Sequence, residues 1–244
     1  NTLSVCTVAR PAARYLLAGT CTVTADQAGD ADYNAAPQVS LAIVVAKADQ
    51  TISGFAADPA SGAVSGSSTL SATASSGLPV TFGSSTPAVC TVAASTVSYV
   101  AAGTCTVTAD QAGDDDYNAA PQVTLDITVA KADQVITDFI STPANGDVGD
   151  TTTLSATGGN SGNPVTFGSN TPAVCTVAAD TVTLLVSGTC TVTADQAGDD
   201  NYNAATQVTL DIGVAKSDQT ITGFAADPAS GVFEGSSTLS ATAS

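Results

Sequence analysis

The stretch TCTVTADQAGD at residues 20–30 decides the fold class, because the chain repeats it without change at 104–114 and 189–199. In its first part, threonine alternates with Cys, Val and Ala, so one face is apolar and the other is polar. This period of two is typical of a β-strand with one buried face. A turn, an Asp-rich loop and a tyrosine follow each copy, at Tyr33, Tyr117 and Tyr202. The pattern predicts the core strand of a small β-sandwich that is copied along the chain.

A recurring Lys-Ala/Ser-Asp-Gln segment sets the length of the repeat. It begins at Lys47, Lys131 and Lys216, in steps of 84 and 85 residues. The additional residue lies within 157–164, which we interpret as a loop because loops tolerate insertions. The steps predict four segments, which are the second half of a repeat (1–46), two complete repeats (47–130 and 131–215) and the first part of a further repeat (216–244).

Within 47–130, short runs with alternating apolar residues are separated by clusters of Gly, Pro, Ser and Asn. No run shows helical periodicity over three turns. We predict an all-β fold of tandem antiparallel β-sandwiches. The predicted strands of this repeat are 50–55, 68–74, 79–83, 88–93, 96–101, 104–110 and 122–129.

The cysteines form three pairs with the same spacing of fifteen positions, namely Cys6 and Cys21, Cys90 and Cys105, and Cys175 and Cys190. One pair per repeat predicts one disulfide per repeat. A zinc site would need shorter couples such as C-x-x-C and usually histidine, and the sequence has neither. Disulfides indicate an oxidising compartment, so we expect the protein outside the cell or at the bacterial cell surface.

The composition argues against several classes of function. Five basic residues stand against 22 acidic ones, a formal net charge of -17, which should repel nucleic acid and anionic membranes. No apolar run is long enough for a membrane span. Histidine is absent, which removes the commonest general base, so we expect no enzyme and no cofactor.

Four motifs together resemble the bacterial Ig-like repeats of large secreted surface proteins and adhesins. They are SGLPVTF (76–82), TPAVCTV (86–92), AGTCTVTADQAG (102–113) and YNAAP (117–121). The resemblance covers essentially the whole chain. It implies Ig-like sandwiches in a linear array that holds something else away from a cell, and it implies no catalytic residue.

The acidic loop after the repeated strand is the best candidate for a metal site. In one copy it carries Asp110, Asp114, Asp115 and Asp116. Clustered carboxylates and turn carbonyls are the ligands that calcium prefers. The alternative is that Asp and Asn serve a tight, solvated turn. No copy has the EF-hand pattern.

The Lys-Ala-Asp-Gln segment is the second candidate for a functional site, as a contact between neighbouring repeats. Lys131 or Asp133 would pair with the acidic loop and fix the angle between neighbouring repeats. The alternatives are a solvated linker, since exposed ion pairs contribute little, and a lysine–asparagine isopeptide bond. The recurring tyrosines either stack on sugars or pack on the sandwich edge.

The sequence predicts a structural segment of an extracellular filament or giant adhesin stalk. The alternative is a binding module that recognises glycan or a host protein through its loops, and 157–164 is the loop that differs between copies. Half a sandwich cannot bury its own core. We therefore expect 1–46 and 216–244 to be completed either by neighbouring repeats of a longer chain or head-to-tail by strand addition from a second copy.

Overall fold

The computed structural model describes residues 5–9 and 11–243. In these ranges all regular structure is β-strand, and there is no helix. Accordingly, no described helix could cross a membrane. The prediction of an all-β fold is confirmed. The chain divides into two compact units, Asn1–Ala132 and Asp133–Ser244.

The first unit begins with two hairpins. β1 (Cys6–Ala9) pairs antiparallel with β2 (Ala12–Tyr15), and β3 (Gly19–Ala25) pairs antiparallel with β4 (Val39–Val45). The Cys6–Cys21 disulfide ties β1 to β3. The two hairpins are therefore covalently held together although no strand pairing joins them.

Eight strands follow in the first unit and form two four-stranded sheets. They are β5 (Ile52–Asp58), β6 (Ser61–Ala63), β7 (Ser67–Ala74), β8 (Thr81–Ser84), β9 (Cys90–Ala93), β10 (Thr96–Tyr99), β11 (Gly103–Asp110) and β12 (Val123–Ala130). One sheet has the order β5-β7-β10-β9, and the other has the order β6-β12-β11-β8. Neighbouring strands are antiparallel except β6 and β12, which are parallel.

This strand order is that of an immunoglobulin-like sandwich. With β5, β7, β10 and β9 as strands A, B, E and D, and with β8, β11 and β12 as C, F and G, the two sheets are ABED and CFG. β6 is an additional edge strand beside G. The Ig-like fold class therefore follows from the topology of the chain itself.

The second unit repeats the same plan and ends in a hairpin. Its complete repeat comprises β13 (Thr137–Thr142), β14 (Asn145–Asp147), β15 (Thr151–Thr157), β16 (Val165–Ser169), β17 (Cys175–Ala178), β18 (Thr181–Leu184), β19 (Gly188–Gln196) and β20 (Val208–Ala215). The sheet orders are β13-β15-β18-β17 and β14-β20-β19-β16. β21 (Ile221–Asp227) and β22 (Thr238–Ala243) then pair antiparallel.

A disulfide crosses the core of each complete repeat. Cys90–Cys105 joins β9 to β11, and Cys175–Cys190 joins β17 to β19, so each bridge connects one sheet to the other. In antibody domains the bridge joins strands B and F, whereas here it joins D and F. The prediction of one disulfide per repeat is confirmed. In the second unit the bridge lies in a core of Leu154, Cys175, Val182, Leu184, Cys190, Val192, Ile212 and Val214.

The sequence missed one strand in each complete repeat. The cluster Asp58-Pro59-Ala60-Ser61-Gly62 is typical of a turn between strands, but Ser61–Ala63 forms β6 and pairs with β12. The prediction was wrong because three small residues carry no periodic signal, and the strand exists only through its backbone bonds to a distant partner. The predicted strand 79–83 also begins two residues too early and ends one residue too early, since β8 is Thr81–Ser84.

Candidate functional site at the inter-repeat junction

The acidic loop, residues 110–121, is closed by its own aspartate. The Asp114 carboxylate accepts hydrogen bonds from the Asp116 and Tyr117 backbone N–H groups, both at 2.9 Å. In return the Asp114 N–H donates to the Tyr117 carbonyl at 3.1 Å. Asp30 and Asp199 make the same bonds in the other two copies. These bonds are the Asx-type turn chemistry that the sequence offered as the alternative to calcium.

Gly113 allows the chain to turn back on itself here. Its φ is +76°, a region that glycine adopts without steric cost. A Cβ at this position would lie 2.4 Å from the Tyr117 carbonyl oxygen. The glycine of the repeated sequence is therefore required by the close approach of two backbone segments.

Three of the four aspartates predicted as calcium ligands, Asp110, Asp114 and Asp116, bond to separate partners. Asp110 accepts from the Gln122 side-chain amide at 2.8 Å, and Asp116 accepts from the Ala18 backbone N–H at 2.6 Å. Asp115 is exposed. Among the described residues, no three His, Cys, Asp or Glu side chains are grouped so that they could share a metal ion. Calcium binding at Asp110, Asp114, Asp115 and Asp116 stays a prediction that titration tests.

A pair of buried glutamines holds the acidic loop to the start of its repeat. Gln50 and Gln111 are both buried, and the Gln50 amide donates to the Gln111 side-chain oxygen at 2.7 Å. The same amide donates to the Asn118 carbonyl at 2.7 Å. Because buried amides require hydrogen-bond partners, this pair fixes the entry of the repeat against the far end of β11.

The second complete repeat uses the equivalent glutamines, Gln134 and Gln196, to bind the backbone of its longer loop. Gln196 donates to the Asn163 carbonyl at 2.8 Å and accepts from the Gly159 N–H at 2.7 Å. Gln134 accepts from the Ser161 N–H at 3.0 Å. The backbone of 157–164, the loop that differs between repeats, is thus bound to the glutamines of its own sandwich.

The junction segment, residues 47–50, runs beside the acidic loop as a one-residue parallel bridge. The Ala48 N–H donates to the Asp116 carbonyl at 2.8 Å, and the Ala48 carbonyl accepts from the Asn118 N–H at 2.9 Å. The Asn118 amide donates to the Asp49 carboxylate at 2.8 Å, and the Lys47 ammonium donates to the Asp114 carbonyl. The junction segment is therefore bonded along its length, which argues against a freely solvated linker.

The equivalent contact is present in the second unit. The Asn203 amide donates to the Asp133 carboxylate at 2.8 Å. Asp133 thus contacts an acidic loop, but the loop belongs to its own repeat, so the predicted role of this segment in fixing the angle between neighbouring repeats stays a prediction. The partner is an asparagine side chain rather than a charged group.

The first unit also shows how a preceding half-repeat meets the acidic loop. Besides the bond from Ala18 to Asp116, the hairpin end at 16–17 lines a cavity of about 160 Å³ together with Ala48 and Tyr117. Tyr117 is half-buried, whereas Tyr33 in the first copy of the loop is exposed. The acidic loop thus contacts two successive repeats at once.

These contacts have no direct signature in the sequence. Ala18 and Asp116 are 98 positions apart, and alanine offers only its backbone. The glutamines were visible as the shared Asp-Gln of the junction segment and of the repeated strand. Their pairing depends on the fold, which brings residues 61 positions apart into contact.

Comparisons with known proteins find likenesses among solved structures only. No family model matches the chain, and no curated protein matches it. Surface layer protein SbsC, domains 1–6, is similar at 15% identity and a TM-score of 0.27, over 91% of this chain and 39% of that chain. This chain therefore spans about two fifths of the SbsC chain that it matches.

Two further solved structures are similar over shorter stretches. The C-terminal 282-residue fragment of intimin, in complex with the translocated intimin receptor, matches at 20% identity and a TM-score of 0.26, over 75% of this chain and 68% of that one. The fibronectin(III)-like modules of Clostridium thermocellum CbhA match at 17% identity and a TM-score of 0.29, over 68% and 94%. At these scores the likenesses carry no functional assignment, and the fold class rests on the strand order.

Proposed function

We propose that this chain is a structural segment of an extracellular bacterial filament or adhesin stalk, a mechanical scaffold without catalysis. The observation that carries the proposal is the junction in the first unit. There the acidic loop of one repeat binds its own junction segment through Ala48 and the preceding half-repeat through Ala18. A loop used in this way sets the orientation of one sandwich on the next. A scaffold that transmits force through 1–46, 47–130, 131–215 and 216–244 requires such defined orientations.

The covalent bridges support this role. Each Cys–Cys bond joins two strands that no hydrogen-bonded ladder connects directly. A bridge of this span raises the free energy of unfolding by about 3 kcal/mol, because it restricts the conformations of the unfolded chain. Such bridges persist in oxidising surroundings, which supports a location outside the cell.

The charge supports a soluble, extended polymer. A net charge of -17 on 244 residues makes neighbouring chains repel one another except where specific contacts form. The partners in this proposal are therefore copies or neighbouring repeats of the same sequence, with no nucleic acid and no inserted membrane. The half-repeats 1–46 and 216–244 would be completed by neighbouring repeats of a longer chain or by strand addition from a second copy.

Single-molecule stretching of the chain, held at its two ends, tests the scaffold. We expect each complete repeat to resist force and to unfold in a separate event of nearly equal length. Reduction of the bridge should lengthen each event by the fifteen-residue separation of its cysteines, about 50 Å. Extension without separate resisting events, under oxidising conditions, would contradict a mechanical role.

A further inference from the structure

In each complete repeat, a short strand near the start pairs directly with the last strand. β6 is joined to β12 in 47–130, and β14 is joined to β20 in 131–215. Both pairs are parallel, whereas the other pairs of described strands in these repeats are antiparallel. We call this pairing, of 61–63 with 128–130 and of 145–147 with 213–215, the end ladder of its repeat.

Tension along the chain loads the end ladder in shear. It pulls the chain before β6 toward the amino end and the chain after β12 toward the carboxyl end. Because the two strands run in the same direction, these pulls oppose each other along the strand axis. The bonds of a parallel pair are evenly spaced, so they bear the force together. In an antiparallel hairpin pulled apart at its open end, the bonds instead break one after another.

The hydrogen bonds of the end ladder are separate from those that hold β12 to β11. The Ala130 carbonyl accepts from the Val64 N–H at 3.1 Å. The N–H and C=O of one residue leave a strand on the same side, so the Ala130 N–H also faces β6. Its neighbour Val129 faces the other way and lies opposite Gly103 of β11. A change in the backbone of Ala130 therefore weakens the end ladder and leaves the pairing with β11 in place.

The chain that follows β6 is anchored in the opposite sheet. The Ser65 N–H donates to the Tyr99 carbonyl at 3.0 Å, and the Tyr99 N–H donates to the Gly66 carbonyl at 3.0 Å. Two equivalent bonds hold Leu184 in the second repeat. β6 is thus fixed to β10 immediately beyond the end ladder. Force that enters at the start of the repeat is therefore carried across to β12 before it reaches the core.

A side chain takes part in the end ladder of 131–215. The Asn145 side-chain oxygen accepts from the Gly213 N–H at 2.8 Å. A Cβ at residue 213 would lie 2.7 Å from this oxygen, so the glycine leaves room for the bond. The Val148 N–H donates to the Ala215 carbonyl at 3.0 Å, as Val64 does in the other repeat. The two repeats therefore share one end ladder but differ in one of its bonds.

We propose that the end ladder is the mechanical clamp of each complete repeat, the element whose rupture sets the rate of unfolding under tension. This inference rests on the proposed function and names the part of the scaffold that resists force. The disulfides join β9 to β11 and β17 to β19, which lie between the paired end strands in the sequence. They are loaded only after the end ladder has opened, and they then limit how far the repeat extends.

Stretching of the whole chain at constant tension, held at its two ends, tests the clamp. Ala130→Pro removes the N–H that faces β6, and Ala130 is exposed, so the core is unaltered. We expect one of the two unfolding events to become about fivefold faster, the effect of one lost hydrogen bond. The other event should keep its rate, because 131–215 is unchanged and serves as the internal control. Circular dichroism checks that the variant is folded.

Two further variants separate the clamp from general stability. Asn145→Ala removes an acceptor from the second end ladder and should accelerate one event about fivefold, and combined with Ala130→Pro it should accelerate both. Gly77→Ala is the matched control, because Gly77 has a φ of +80° in a loop outside the end ladder. It lowers the free energy of unfolding, but its strain persists until the clamp has broken. The rate under tension should therefore be unchanged.

The clamp and the scaffold fail in distinguishable ways. Unchanged rates in a folded Ala130→Pro and in Asn145→Ala, or an acceleration by Gly77→Ala as large as that by Ala130→Pro, would overturn the clamp. In those cases the repeats still resist force, so the scaffold stands. A wild-type chain that extends without separate resisting events would overturn both.

Discussion

One core position distinguishes the two complete repeats at the level of single residues. In 47–130 the Ser68 hydroxyl donates to the Pro59 carbonyl at 2.7 Å and bonds to the Tyr99 hydroxyl. In 131–215 the counterpart Thr152 is 1% exposed, and among the described residues its hydroxyl is the buried side-chain polar atom left without a hydrogen bond. An unpaired buried hydroxyl lowers the stability of the fold, because it loses its hydrogen bonds to water and gains none within the protein.

Replacing this hydroxyl by a methyl group should therefore stabilise the second repeat. We expect Thr152→Val to raise the free energy of unfolding by about 1 kcal/mol, measured by guanidinium titration. The matched change Ser68→Ala removes a hydroxyl that is bonded and should lower the free energy of unfolding by about 1 kcal/mol. If Thr152→Val destabilises as Ser68→Ala does, the hydroxyl of Thr152 has a partner and the explanation fails.

The glycine of the acidic loop is a second residue-scale test. Gly113 and Gly77 have nearly the same φ, +76° and +80°, but a Cβ on Gly77 would meet nothing within 4 Å. Gly77→Ala therefore measures the backbone cost alone, about 1 kcal/mol. Gly113→Ala adds the clash with the Tyr117 carbonyl and should cost at least about twice as much in thermal or guanidinium unfolding. Equal costs for the two variants would show that the loop relaxes.

At the scale of elements, alternation predicted the long strands well. β11 and β12 carry inward Val107 and Ile127 between exposed or half-buried threonines and aspartates, and a period of two reports that arrangement directly. β6 carries no such signal, because its place is set by a parallel partner far along the chain. Residues 230–232 illustrate the point: they repeat the small-residue pattern of β6 but form no strand where the partner is absent.

The acidic loop gives a prediction at the same scale. Its Asp114 carboxylate already accepts two backbone N–H groups, and Asp116 accepts the Ala18 N–H. Because these carboxylate oxygens are already engaged by backbone N–H groups, we expect the thermal midpoint to be the same in millimolar calcium and in chelator. A midpoint that rises with calcium and saturates would instead establish the calcium site that the clustered carboxylates predicted.

At the scale of the whole molecule, the sequence predicted which residues matter more readily than what they do. The clustered aspartates of the acidic loop predict calcium binding. In the structure Asp114 closes a turn, and Asp116 contacts the preceding half-repeat. Those contacts run through backbone groups such as the Ala18 N–H, which any residue but proline would provide. Side-chain identity cannot reveal them, and only the fold brings them together.

Electron microscopy of the native material tests the central claim most directly, which is that these sandwiches follow one another in file. We expect filaments whose axial repeat is a single sandwich. Dispersed particles of one fixed length at every concentration would contradict it.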